Sequence, residues 1–153
     1  MSLESLKSSA QLLMDLDEDG LEFLESVATE VVFPAGAIIF EEDQYADTFY
    51  LVADGKAGLE VVLATRPPVL LETVGPGEML GVSWLTYPYR WAWRARAVNR
   101  STLVAFDADA VRARCREDHK LAASVYLTVA DESGRRLHAA RVRLLDLYPG
   151  GRE

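Results

Sequence analysis

Between Val31 and Asp107 the apolar residues come in short runs that are cut off repeatedly by Pro, Gly or Asp. The runs are Val31–Phe33, Ala37–Phe40, Thr48–Val52, Ala57–Leu63, Val69–Val74, Trp91–Val98 and Thr102–Phe106. Such runs are too short for stable helices and rich in β-branched and aromatic residues, which read as strands. Pro34-Ala35-Gly36, Asp54-Gly55, Pro67-Pro68 and Gly75-Pro76-Gly77 punctuate them as turns. Asp54-Gly55, between two runs, is the strongest single hairpin signal in the chain. Short strands at regular spacing with frequent turns predict a mainly β protein built as an antiparallel β-barrel or jelly roll.

Both flanks change texture. From Gln11 to Glu30 the residues Leu16, Leu21, Phe23, Leu24, Val27 and Ala28 follow a helical spacing, with Asp17 placed as a cap. After Asp107 a short helix is expected over Ala108–Glu117 and a long one over Lys120–Tyr148, stopped by Pro149-Gly150-Gly151. The 153 residues are therefore read as one domain: an N-terminal helix (11–30), a β-barrel (31–107) and C-terminal helices (108–148). In the long helix, Ala123, Ala130, Leu137 and Leu144 recur every seven residues, with Tyr126, Ser133, Ala140 and Leu147 three further on. This seam of small and apolar side chains predicts a homodimer through Ala123, Tyr126, Ala130, Leu137, Ala140, Leu144 and Leu147. Gly134 is a weak point at which a kink is expected.

Composition closes off several classes. Half the residues are apolar and 26% charged, as in a folded globular protein. Cys115 is the only cysteine, and no apolar run is long enough to span a bilayer, so a soluble cytoplasmic protein without membrane contact is expected. Three arginines around Cys115 would lower its pKa if it is exposed. Residues 1–88 hold 16 acids and 3 bases, and residues 89–153 hold 8 acids and 13 bases. The acidic first half argues against general nucleic-acid binding, while the Arg-rich second half leaves an anionic ligand or partner open; the arginines of the helices read as solvated faces. Asp15–Gly20 opens like a calcium loop, but the twelfth position is Ser26 instead of a bidentate Glu. The two histidines, His119 and His138, lie far from any carboxylate spacing that suits a metal. No nucleophile stands beside a base. No catalytic residue, metal site or resident cofactor is expected.

The stretches Phe33–Phe40, Ala46–Val52 and Asp54-Gly55, together with Arg135-Arg136-Leu137 near the end, resemble the cyclic-nucleotide-binding domain of the Crp/Fnr family. The resemblance runs over about residues 12 to 148. Asp43 stands where that family usually has a glycine. The resemblance implies a phosphate-binding cassette in which a Gly-Glu pair opens a helical turn, with backbone N–H groups on the phosphate and the Glu on the ribose. It places this cassette on Gly77-Glu78-Met79-Leu80-Gly81, with Ser83 beyond. The family's phosphate-pairing Arg falls on Trp91, with Arg90 beside it and Trp93 two residues on, so the cassette is divergent. The hydroxyls that hold the adenine in related activators fall on Ala140 and Arg141.

Period-two alternation puts Tyr89, Trp91, Trp93, Ala95 and Ala97 on one face, and Arg90, Arg94 and Arg96 on the other. Trp84, Trp91 and Trp93 all lie within ten residues, so they line an aromatic pocket, fill the barrel or, if exposed, form a membrane or protein contact patch. Ligand contact is accordingly expected from Gly77, Glu78, Met79, Leu80, Gly81, Ser83, Arg90, Trp91 and Trp93. The expected function is a non-enzymatic sensor or regulatory module. It would bind a cyclic nucleotide in an altered pose, or another small ligand, and signal to a protein partner whose identity stays open. The alternative is a barrel filled by its own tryptophans that serves as a dimerising interaction module. The chain ends at Glu153, so the helix-turn-helix of the family's regulators is not expected, nor is DNA binding by this chain.

Overall fold

The computed structural model describes residues 3–148. A 3-10 turn (Glu4–Leu6) leads into two short helices, α1 (Gln11–Met14) and α2 (Glu18–Ser26). Seven strands follow: β1 (Ala28–Phe33), β2 (Ile38–Phe40), β3 (Thr48–Asp54), β4 (Ala57–Leu63), β5 (Arg66–Val74), β6 (Arg94–Ala97) and β7 (Ser101–Asp107). A second 3-10 turn, Ser83–Leu85, lies between β5 and β6, and the chain closes with α3 (Ala108–Cys115) and α4 (His119–Leu145).

The strands form two antiparallel sheets, β1-β7-β3 and β2-β6-β4-β5. Sheet residues alternate as expected. Phe49 and Phe106 stack at 4.9 Å on one face of the first sheet, where α3 packs. Tyr50, on the other face, meets Phe33 of its own sheet edge-on and Phe40 of the second sheet across the space between them. The core thus runs through β7 and β3, from the helices to the second sheet, while β1 at the edge has no fully buried residue. Asp17, Asp107 and Asp118 each accept a backbone N–H at the start of α2, α3 and α4.

Four expectations need correction. The helix expected over 11–30 is two short ones, and its last turn is strand, because Ala28–Phe33 pairs along its whole length with β7. Asp54-Gly55 does not join a hairpin: β3 pairs with β7 and β4 with β5 and β6, so this turn carries the chain from one sheet to the other. Gly55 takes φ +90° there, and a Cβ would meet Ser101 Oγ at 2.4 Å. Pro67 and Pro68 lie inside β5, the edge strand of its sheet, at a register irregularity opposite Val61–Leu63 where neither has a ladder partner. Finally, α4 continues through Gly134, whose surroundings are open. The Pro149-Gly150-Gly151 stop lies outside the described residues.

Candidate ligand site at the barrel mouth

The site is built around Trp91. Its N–H donates to Gln44 O (3.0 Å), and its carbonyl accepts from Asp43 N (2.8 Å), so it bonds to the 43–44 turn instead of a strand ladder. Asp43 makes that turn with φ +67°, the left-handed conformation that favours glycine. Strand β6 therefore begins only at Arg94, not at Trp91. The Trp91 indole is buried between the sheets, stacked on Phe40 at 3.8 Å and 9°, and lies against Gly81. Trp93, beyond a bend, stands 42% exposed.

The expected alternation holds for Ala95 and Ala97, which are buried, and for Arg94 and Arg96 opposite them, which both pair with the buried Glu60 carboxylate at 2.7 and 3.0 Å. It fails at Tyr89, where φ is +60°. Arg90 is exposed and donates to Asp43 O at 2.8 Å.

Beside Trp91 opens a cavity of about 710 Å³. Its walls are Phe40 and Leu59, the 69–72 stretch of β5, Gly81–Ser83, Trp91–Trp93, the far half of α4 through Ser133, Arg136, Ala140, Arg143 and Leu144, and Leu147 in the turn just past the helix end. Of the residues expected to touch ligand, Gly81, Ser83, Trp91 and Trp93 line it, and the other five do not. Gly77 turns at φ +85° with Ser9 O where its side chain would be. Met79 and Leu80 are fully buried. Glu78 turns its carboxylate back onto Gly75 N (2.9 Å) and borders a separate groove of about 770 Å³ with Arg135 and His138. The glycine that precedes the helical turn is Gly81, and its successor is Val82, so no carboxylate stands at the head of that turn.

Arg136, quoted above only within Arg135-Arg136-Leu137, and Arg143, one at each end of a seven-residue spacing on α4, were not expected at the site. That spacing is the signal that they share a helix face. Arg143 donates to Leu71 O, while Arg136 reaches Glu72 (3.1 Å), Glu132 (3.0 Å) and Met79 O. Glu132, buried within α4, accepts Met79 N–H at 3.4 Å. The Met79 peptide is thus held on both sides by one helix. Burial raises the Glu132 and Glu72 carboxyls above their ordinary values, against the pull of Arg136.

A second anchor holds the same segment from α3. Arg112 is buried rather than solvated: it donates to Trp84 O (2.5 Å) and Ala46 O (3.2 Å), and pairs with Asp109. Trp84 in turn stacks on Phe49 at 3.8 Å and donates to Met79 Sδ. Cys115 is buried nearby on α3, and its thiol is pushed up to about 11 by desolvation, the reverse of the lowering its neighbouring arginines suggest. Among the described residues, no group of His, Cys, Asp and Glu could hold a metal, and no helix is long and apolar enough to cross a membrane.

The cyclic nucleotide-binding domain family matches residues 30–118, from β1 through α3. The chain belongs to that family. A protein of Geobacter metallireducens described as cyclic nucleotide-binding is 27% identical with a TM-score of 0.80, over 90% of this chain and 99% of that one. The catabolite activator protein of Thermus thermophilus is 27% identical with a TM-score of 0.69, over 90% of this chain and 62% of its own. A cyclic nucleotide-binding domain of Methylobacillus flagellatus shares the fold at 14% identity, with a TM-score of 0.79 over 96% of this chain and 86% of that one. A comparison with curated proteins finds no match. Membership makes the chain a domain of regulatory, ligand-sensing type. It has Trp91 where the resemblance puts an arginine, and Glu78, where the resemblance puts the cassette's carboxylate, does not stand at the head of the Ser83–Leu85 turn, which is capped by Val82.

Proposed function

We propose that this domain is a non-enzymatic sensor whose ligand occupies the cavity beside Trp91 and Trp93, and that it signals through α4. The observation that carries this reading is the shared wall: the segment Gly81–Ser83 and the far half of α4 border one cavity. The Met79 peptide, two residues before that segment, is bonded to α4 on both sides. A ligand that draws the helix and the segment together shifts α4, and a partner reads its exposed surface. The two states differ by the contacts the ligand makes with both walls.

The surface of α4 suits a second copy. Ala123, Tyr126, Ala130, Leu137, Ala140, Leu144 and Leu147 are all exposed along one stripe, and Ala140, Leu144 and Leu147 also border the cavity. A homodimer through this stripe would place the partner helix next to the ligand. A cytoplasmic location fits a lone, buried thiol.

One observation favours the second reading, a barrel filled by its own side chains. Trp91 occupies the space between the sheets and stacks on Phe40. The two readings part on titration with cyclic AMP and cyclic GMP, followed by tryptophan fluorescence and melting temperature. A saturable change with a raised melting temperature supports nucleotide sensing beside Trp93. Silence in both channels up to millimolar nucleotide removes cyclic nucleotides as the ligand.

A further inference from the structure

We infer that the cavity beside Trp93 selects an uncharged aromatic or alicyclic molecule over a phosphate-bearing one; this rests on reading that cavity as a ligand site. Its volume, about 710 Å³, lies in the usual range of roughly 300–1,000 Å³ for small-molecule sites. Its lining is dominated by Phe40, Leu59, Val69, Trp91, Trp93 and Leu144. Three of these stand partly open to water at its rim: Val69 at 41%, Trp93 at 42% and Leu144 at 55%. A flat apolar ligand would cover those side chains and extend the Phe40–Trp91 stack, with no charge to desolvate.

The charge arrangement disfavours an anion. The two cations at the cavity, Arg136 and Arg143, face two carboxylates, Glu72 and Glu132. Arg136 is paired with both carboxylates, and Arg143 is bonded to Leu71 O and acts on Glu72 through space. The arginines just before and within β6 are turned elsewhere: Arg90 to Asp43 O, Arg94 and Arg96 to Glu60. A phosphate entering the cavity would give up its water and approach Glu72; among the described residues the cations it would meet are Arg136, already paired with two carboxylates, and Arg143, which lies close enough to Glu72 to share its charge with that carboxylate. The neutral polar groups are the hydroxyls of Ser83 and Ser133. Ser83 Oγ accepts the Ala92 N–H at 3.4 Å, which leaves its own proton for a ligand carbonyl or hydroxyl.

The test is calorimetry on the full chain with three probes: 2-naphthol, its charged counterpart 2-naphthoate, and cyclic AMP. The expected result is saturable binding of 2-naphthol with at least tenfold weaker binding of 2-naphthoate and of cyclic AMP. Loss of the 2-naphthol signal in Ala140→Trp, which fills the cavity from an exposed helix position, would place the probe there; binding unchanged in a folded Ala140→Trp would overturn the assignment. Binding of 2-naphthoate or cyclic AMP as tight as that of 2-naphthol overturns the ligand class and leaves the sensing reading standing. Silence from all three at millimolar concentration overturns both, because something other than a small ligand, such as a second copy's helix, then covers the rim.

Discussion

At Gly81 the chain takes φ +81°, and a Cβ built there would lie 2.9 Å from Cζ3 of Trp91. The turn that leads into the cavity wall and the ring between the sheets are therefore fitted to each other. Gly81→Ala meets two penalties at once. The left-handed backbone alone costs about 1–2 kcal/mol for a residue with a side chain, and the new methyl must push back an indole already stacked on Phe40 at 3.8 Å. The expected outcome is a lower denaturant midpoint together with a shifted tryptophan emission. A midpoint equal to that of the wild type would mean that the ring yields freely and does not define the cavity wall. At this scale the sequence is informative about residue types and silent about distances. Three tryptophans within ten residues lead to the site, yet only the folded chain separates Trp84 under the helices, Trp91 between the sheets and Trp93 at the mouth.

Among the elements, α4 carries the connection between cavity and surface. Burial holds the Glu132 carboxyl above its ordinary 4.5, so the folded protein keeps a proton that the unfolded chain has released. Stability from this group therefore falls as pH rises from 4.5 through the raised value, and Glu72 behaves in the same way. Glu132→Gln should flatten that fall in melting temperature. Arg136→Met does the opposite, because it strands a buried carboxylate. It should cost about 3 kcal/mol at pH 8 and less near pH 5, where protonation relieves the stranded charge. Equal losses at the two pH values would show that Arg136 acts by packing alone. This clamp on Met79 was not readable in the sequence, because the Leu51–Met79 bridge that presents its peptide joins residues distant in the chain. The same limit explains Glu78. A Gly-Glu pair is a local signal, but which glycine heads the helical turn is set by long-range pairing, and that glycine is Gly81. Strands were legible because their punctuation is local. Their division into two sheets was not, since β1 and β3 both pair with β7, far along the chain.

For the molecule as a whole, the far half of α4 poses a problem of support. The buried residues of this 27-residue helix end at Glu132. From Ser133 to Leu145 its ties to the barrel run through Arg136 and Arg143, which reach β5 at Glu72 and Leu71 O. Helices shorter than about 12–15 residues are marginal in water when nothing packs on them. Leu137, Leu144 and Leu145 stand roughly half exposed on this arm, at 51%, 55% and 46%. A second copy packed along the stripe would cover Leu137 and Leu144, and the small side chains at Ala123, Ala130 and Ala140 would let the two helices come close. Leu137→Glu places a charge at the middle of that contact, on a side chain that the single domain leaves open. The variant should therefore fold but sediment as a monomer under conditions in which the wild type is a dimer. Its melting temperature should no longer depend on concentration, and its helical signal at 222 nm should drop as the arm frays beyond Glu132. If the wild type is itself a monomer at 100 µM, as a concentration far above that of most stable dimers, the stripe is not a self-contact. The two arginine ties would then be sufficient to hold the helix over the cavity.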